Sequence, residues 1–259
     1  MPRRFKEILA RNELVRIFSV GRLPTTVTVD LFGLAGGFDG FWIDHEHVGL
    51  TWLEIQTLAV AARANDFDCF VRIAPDNYAL VTQCLEAGAG GVMGAMIRSA
   101  AHGEEFVTTT KFAPRGRRGL NTQGRDADYT HKPATRFAAE ANRDQFLALQ
   151  IETLGALDDA EAIAALADVD LLFVGPSDLS QALGVLGQFE HPKLWEAIER
   201  VARACRKHGK AWGTVAPDPR FADRAYELGC RMISIAPEVR ALRLGIDALK
   251  TAYAGLFAQ

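Results

Sequence analysis

Eight short runs rich in β-branched and aromatic residues recur along this chain, each separated from the next by a longer segment: VRIFSV (15–20), GFWID (40–44), CFVRI (69–73), GGVMGAM (90–96), FLALQIE (146–152), DLLFVG (170–175), AWGTVA (211–216) and MISIAP (232–237). Most are apolar almost without interruption, which suits strands buried on both faces, as parallel strands covered by helices are. Between them, TWLEIQTLAVAARAND, NYALVTQCLEAGA, LDDAEAIAALADV, HPKLWEAIERVARACRKHG and DPRFADRAYELG carry helical spacing, and a last helix is expected over 238–255. Thr51, Asn77 and Asp218 stand where N-caps belong, and Gly88, Gly209 and Gly229 where helices close. Strand then helix, eight times over, predicts an α/β fold of the (β/α)8 TIM-barrel type, since parallel strands need right-handed helical crossovers. An open doubly wound sheet is the alternative. With no internal repeat, low-complexity tract or dividing linker, residues 1–259 are expected to form one barrel domain.

Charge narrows the partners. A net charge of -3 gives no overall attraction to nucleic acid or to an anionic membrane, so a small molecule is the expected ligand. No run approaches the roughly eighteen apolar residues of a membrane span, and MPRRFKEILARNE lacks the apolar core of a signal peptide, so a cytoplasmic location is expected. Cysteines 69, 84, 205 and 230 are too scattered for a C-x-x-C knuckle and are expected to be reduced and mostly buried. One long irregular stretch, 113–145, carries seven basic residues interrupted by Asp126, Asp128, Glu140 and Asp144. Its length suggests a lid or an interface element, and its acids argue against a polyanion site.

Polar residues gather at the ends of four strands. GFWI leads into Asp44, His45, Glu46 and His47; CFV into Arg72; LAL into Gln150 and Glu152; LLFV into Gly175, Pro176, Ser177 and Asp178. In a barrel of this type these ends share one rim, where the chemistry sits. Glu152 and Asp178 would repel each other there unless a cation lay between them, and a hard divalent ion suits two carboxylates. Helix capping is the plainer role for each. Arg72, enclosed in FVRIA, needs an anionic partner and could bind a carboxylate or an enolate oxygen; a structural ion pair is the alternative. The amides after Pro176 open a turn that attracts a small carboxylate. Of the two histidines, His47 is three residues from Asp44 and could meet it across a turn, which makes it the candidate base with Asp44 orienting it.

The segments IDHEH, VR with the later EAGAGGVMGAM, KFAPRGRRG, LALQIET and LLFVGPSDLSQALG, in that order, resemble the class II pyruvate aldolase family, the 4-hydroxy-2-oxoheptanedioate aldolase group. The resemblance implies a barrel of the phosphoenolpyruvate/pyruvate type in a homohexamer that exchanges its last helix between subunits, with 236–257 packing on a partner. It implies that Glu152 and Asp178 bind magnesium, manganese or cobalt, and that the 2-oxo acid chelates this ion. Gln150 and Arg72 would contact the keto or enolate oxygen, and the turn at Gly175, with the amides of Ser177 and Asp178, would hold the substrate carboxylate. His47 with Asp44 would be the acid–base group. Glu46, and Glu86 from a neighbouring subunit, would hydrogen-bond water on the metal. The activity implied is reversible cleavage of a 4-hydroxy-2-oxo acid into pyruvate, or a similar 2-oxo acid, and an aldehyde. Three departures from the family pattern stand out: His45 in place of a small residue, Ala95 in place of a proline before Met96, and Trp212 early in the seventh strand while the first strand lacks tryptophan.

Two rival functions remain at this level. A CoA-ester lyase or thioesterase of the malyl-CoA or citryl-CoA type could use the arginines of 113–145 on CoA phosphates. A non-catalytic barrel that only binds a 2-oxo acid would be expected to have lost a metal ligand or the base, yet all are present.

Overall fold

The computed structural model describes residues 5–257. All eight predicted strands form: β1 (Val15–Val20), β2 (Gly40–Asp44), β3 (Asp68–Ile73), β4 (Gly91–Gly94), β5 (Phe146–Ile151), β6 (Leu171–Val174), β7 (Ala211–Val215) and β8 (Met232–Pro237). They pair in parallel, in chain order, and close into one barrel, so the doubly wound alternative is excluded. Helices α1 (Phe5–Ala10), α2 (Thr26–Ala35), α3 (Trp52–Ala64), α4 (Tyr78–Glu86) and α5 (Ala100–Thr110) are interleaved with the first four strands. In the second half come α6 (Ala134–Asp144), α7 (Leu154–Asp158), α8 (Ala160–Ala164), α9 (Pro176–Ala182), α10 (Pro192–Lys207), α11 (Pro219–Glu227), α12 (Glu238–Ala252) and α13 (Ala254–Phe257). The segment 157–169, read as one helix, is instead the end of α7 followed by α8.

The caps explain why the helices start where they do. Thr51, Asn77 and Asp218 each accept the amide three residues on, and Thr51 with Glu54 completes a reciprocal capping box. Gly88 and Gly229, at φ 102° and 97°, follow α4 and α11 in a backbone conformation that costs a side chain strain.

Strand residues alternate between two cores. Phe41, Ile43, Val71, Ile73, Leu149, Ile151 and Val174 point outward beneath the helices. Ile17, Trp42, Phe70, Met93, Phe146, Ala148, Phe173 and Met232 fill the lumen. Each large apolar side chain buried this way contributes roughly 1.5–3 kcal/mol. Helix α1 stoppers the foot, with Phe5 edge-on to Phe70 at 5.9 Å and to Phe146 at 5.7 Å between ring centroids. The floor is therefore sealed, and only the C-terminal ends of the strands open to solvent.

The long segment 113–145 leaves α5 and enters β5 at the foot, since a helix-to-strand connection lies at the N-terminal ends of the strands. It does not form a lid over the mouth of its own barrel, which corrects that expectation. It packs through Phe112, Ala127, Phe137 and Ala141, with the Arg118 guanidinium 4.6 Å above the Phe112 ring and paired to Asp126 at 2.6 Å. Its other arginines are also paired: Arg115 with Glu104 and Asp168, Arg117 with Glu105, Arg125 with Asp128, Arg136 with Glu140 and Arg143 with Asp144.

Helix α12 behaves differently from the other long helices. Its only buried residue is Glu238, and Val239, Leu242, Leu244, Ile246 and Leu249 are exposed. Among the described residues no helix is long and apolar enough to cross a membrane. All four cysteines are free and buried, and burial pushes the Cys69 and Cys230 thiols up to about 12.

Candidate active site

Following the inward positions from floor to rim, the lumen changes from apolar to polar. Phe70 gives way to Arg72 on β3, Trp42 to Asp44 on β2, Ala148 to Gln150 and then Glu152 on β5, and Phe173 to Gly175 on β6. The β2–β3 register sets Asp44 directly beside Arg72. The alternation that buries the core thus delivers these groups to one opening.

Arg72 is boxed in. Its side chain is 9% exposed, with one terminal nitrogen 2.9 Å from Asp44 Oδ2 and Nε 3.3 Å from Glu46 Oε2. Beneath it, the guanidinium carbon lies 4.6 Å from the centre of the Trp42 ring, whose Nε1 donates to Ser234 Oγ at 2.9 Å. Two carboxylates and an aromatic face fix the plane of the fork, and such stacked, desolvated contacts are the stronger kind of cation–π pair. The structural ion pair considered for Arg72 is present; so is an orientation that leaves the fork at the mouth.

Glu152 is 2% exposed. Oε1 accepts the Met96 amide at 2.7 Å, and Oε2 lies 2.5 Å from Gln150 Nε2. Burial pushes its carboxyl up to about 7; the Met96 amide and Arg72 oppose that rise, while the charges of Glu46 and Asp178 add to it. Met96 reaches this position with φ 48°, a left-handed conformation rare for a branchless hydrophobe and a local strain. Gly175 completes the cradle: a Cβ there would stand 2.4 Å from Glu152 Oε2 and 2.8 Å from Gln150 Nε2. Thr153, not Glu152, caps α7, and Gly175 is the N-cap residue of α9, so neither acid is consumed as an N-cap. Asp178 is exposed in the first turn of α9, close enough for its charge to act on Glu152. With Pro176 at the start and no capping side chain, the amides of Ser177 and Asp178 are first-turn donors without helical acceptors.

These residues fit a hard divalent cation. Among the described residues no three His, Cys, Asp or Glu side chains form a group that could hold a metal, so an ion here would rest on two carboxylates, with non-protein oxygens completing its shell. Among the described residues Gln150 Oε1 has no hydrogen-bond partner although it is buried, an acceptor left open toward the site. Four carboxylates, Asp44, Glu46, Glu152 and Asp178, accompany one guanidinium, a balance that repels an anionic ligand unless positive charge is added.

The histidines are placed less simply than expected. Asp44 does not meet the His47 ring; its carboxylate is held by Arg72 and accepts the His47 backbone amide at 3.3 Å. The carboxylate nearest the His47 ring is Glu46, with Oε2 3.9 Å from Nε2, and the ring is 58% exposed at the mouth. His45 donates its amide to Arg72 O at 3.1 Å and is partly buried. Glu86 ends α4 at the foot, where Asn121 donates to it at 2.9 Å; within its own chain it is remote from the mouth. Sequence reasoning missed Trp42 and the Met96 amide. A signal for the Arg72 pair was there, because GFWID and DCFVRI, aligned as neighbouring strands, set Asp44 against Arg72.

Comparison with known proteins places this geometry. Residues 34–243 match the family model described as HpcH/HpaI aldolase/citrate lyase. A 5-keto-4-deoxy-D-glucarate aldolase of Klebsiella pneumoniae is 29% identical over 252 residues, 97% of each chain. The enzyme of that name from Salmonella paratyphi C is 30% identical over 250 residues, 96% of this chain and 95% of its own. The crystal structure of an HpcH/HpaI aldolase from Desulfitobacterium hafniense superposes with a TM-score of 0.86 at 32% identity, covering 95% of this chain and 96% of that one.

Proposed function

The chain belongs to the HpcH/HpaI aldolase/citrate lyase family and is a carbon–carbon lyase, and on that premise we propose that it cleaves a 4-hydroxy-2-oxo acid reversibly into pyruvate, or a similar 2-oxo acid, and an aldehyde. The observation that carries this reading is the inner ring of Arg72, Gln150 and Glu152, buried on a sealed floor and open only at the mouth.

Glu152 and Asp178 would hold a divalent cation, whether magnesium, manganese or cobalt, which would supply positive charge beside the 2-oxo group. The chain's own residues do the rest. First-turn amides of Ser177 and Asp178 receive the substrate carboxylate. Arg72, its fork held flat by Trp42, Asp44 and Glu46, donates to the C2 oxygen as negative charge grows there. Gln150 orients the same end of the substrate. His47 takes the proton of the C4 hydroxyl; the electrons of the C3–C4 bond move toward C2, and the aldehyde departs. Return of a proton to C3 releases the 2-oxo acid. Asp44 serves this step by fixing the His47 backbone, and Glu46 is the carboxylate beside the ring. No lysine stands at the C-terminal end of a strand, in keeping with enolate rather than Schiff-base chemistry.

The relatives' names add 5-keto-4-deoxy-D-glucarate to the candidate substrates. The exposed apolar side of α12 supports exchange of this helix between subunits of a hexamer, in which Glu86 of one chain would approach the site of another. The CoA-ester alternative loses its main support, since the arginines of 113–145 are paired with acids.

The test is pyruvate release from a racemic 4-hydroxy-2-oxo acid by chelated protein, with and without added manganese. Release that depends on manganese supports the reading; no release with the metal, alongside turnover of malyl-CoA, would replace it.

A further inference from the structure

We propose that Glu238 is a positioning residue, which from the root of α12 holds the β1–α2 loop and through it sets the Asp44–His47 segment. The inference rests on the reading of His47 as the base.

The β1–β8 register slips by one residue, Ile17 facing Ser234 but Ser19 facing Pro237. This bulge turns the end of β8, and the next residue, Glu238, is 5% exposed. Its Oε1 accepts three consecutive amides, Gly21 at 2.9 Å, Arg22 at 2.6 Å and Leu23 at 3.0 Å. Three converging N–H groups form an anion-binding nest, and a carboxylate fills it with charge-assisted bonds.

The loop so held touches the Asp44–His47 segment twice. Gly21 lies bare against it, for a Cβ there would stand 2.9 Å from Val48 Cγ2 and 3.2 Å from Asp44 Cβ. Arg22 extends its guanidinium to the His47 carbonyl oxygen at 3.3 Å. Asp44 in turn grips Arg72, so the path from Glu238 ends on the group that faces the enolate oxygen. Glu238 is also the only buried residue of α12. The grip of the projecting helix on its barrel and the geometry of the mouth therefore share one carboxylate.

Glu238→Ala, Glu238→Gln and Arg22→Ala test this, each compared with wild type for pyruvate release, for hydrogen exchange over 44–48 and for oligomeric state by sedimentation. Glu238→Ala should lower kcat ~10- to 100-fold, the cost of misplacing a reacting group by about an ångström, with KM changed by less than ~3-fold. Exchange over 44–48 should accelerate in the same protein. Glu238→Gln, whose amide oxygen can still accept the three N–H groups, should recover most of kcat, and Arg22→Ala should reproduce part of the loss with the assembly intact. Wild-type kcat in Glu238→Ala and Arg22→Ala, or a loss without faster exchange over 44–48, would overturn the proposal. A fall in kcat confined to proteins that have lost their assembly would do the same. If wild type itself releases no pyruvate, the aldolase reading fails, and unchanged exchange in Glu238→Ala would then separately remove the anchor.

Discussion

Replacing Glu152 with Gln should stabilise the chelated protein at alkaline pH and remove its response to manganese. The carboxyl is 2% exposed, and burial sets its pKa at about 7 against an ordinary 4.5. That gap corresponds to about 3 kcal/mol. The sign follows from linkage: the fold binds this proton more tightly than the unfolded chain does, so the contribution is fully present below pH 4.5 and is lost as pH rises through 7. The amide that replaces the carboxyl has no such loss, but it is a weaker acceptor for the Met96 N–H, which brings the net gain at pH 8 to about 2 kcal/mol. Urea denaturation of both proteins at pH 5 and pH 8, in chelator, reads the difference directly, since other titrating groups cancel between them. Near-equal stabilities at pH 5 and a more stable variant at pH 8 are expected. Manganese should then raise the wild-type midpoint and leave the variant's unchanged. A variant less stable than wild type at pH 8, or one that manganese stabilises equally, would refute the reasoning.

Arg72→Lys keeps the charge but loses the planar fork stacked on Trp42, and kcat for pyruvate release should fall by ~10²-fold or more; a lysine variant near wild-type rates would mean that charge alone suffices. Gly175→Ala drives a methyl to 2.4 Å from Glu152 Oε2, so manganese affinity by titration calorimetry should weaken ~10- to 100-fold; unchanged affinity would remove Glu152 from the metal set. His47→Ala should abolish release while His45→Ala retains it, and equal losses would leave the base unassigned. A thiol reagent should find no reactive cysteine in the native protein and four after denaturation, with any fast native reaction contradicting their burial.

Strand existence and order are readable because each strand is an apolar run bracketed by a cap or a glycine, and buried parallel strands tolerate little else. The inner polar ring is readable for a related reason: on an alternating strand, a charged residue two places beyond an inward Phe or Trp must also face the lumen. Other features depend on tertiary geometry. Closeness in sequence points Asp44 at the His47 ring, but the β2–β3 register gives it Arg72 instead. Met96 adopts φ 48° without the glycine that announces such a backbone, so the hydrogen bond its amide donates to Glu152 has no sequence signature. Length alone suggests a lid or an interface element over 113–145, and a connection from helix to strand, confined to the foot of a barrel, removes the lid. The spacing announces a last helix over 238–255, but that nearly all of it stands exposed, with Glu238 its one buried residue, depends on how the end of β8 turns.

The central claim is that this mouth stabilises the enolate of a 2-oxo acid, and it can be tested without knowing the aldehyde. Pyruvate in deuterated water, followed by the loss of its methyl proton signal, reports enolate formation alone. Chelated protein should leave the signal at the background rate, added manganese should accelerate its loss, and Arg72→Ala and Glu152→Gln should each remove that acceleration. Background exchange in wild-type protein with manganese, or undiminished exchange in both variants, would contradict the account.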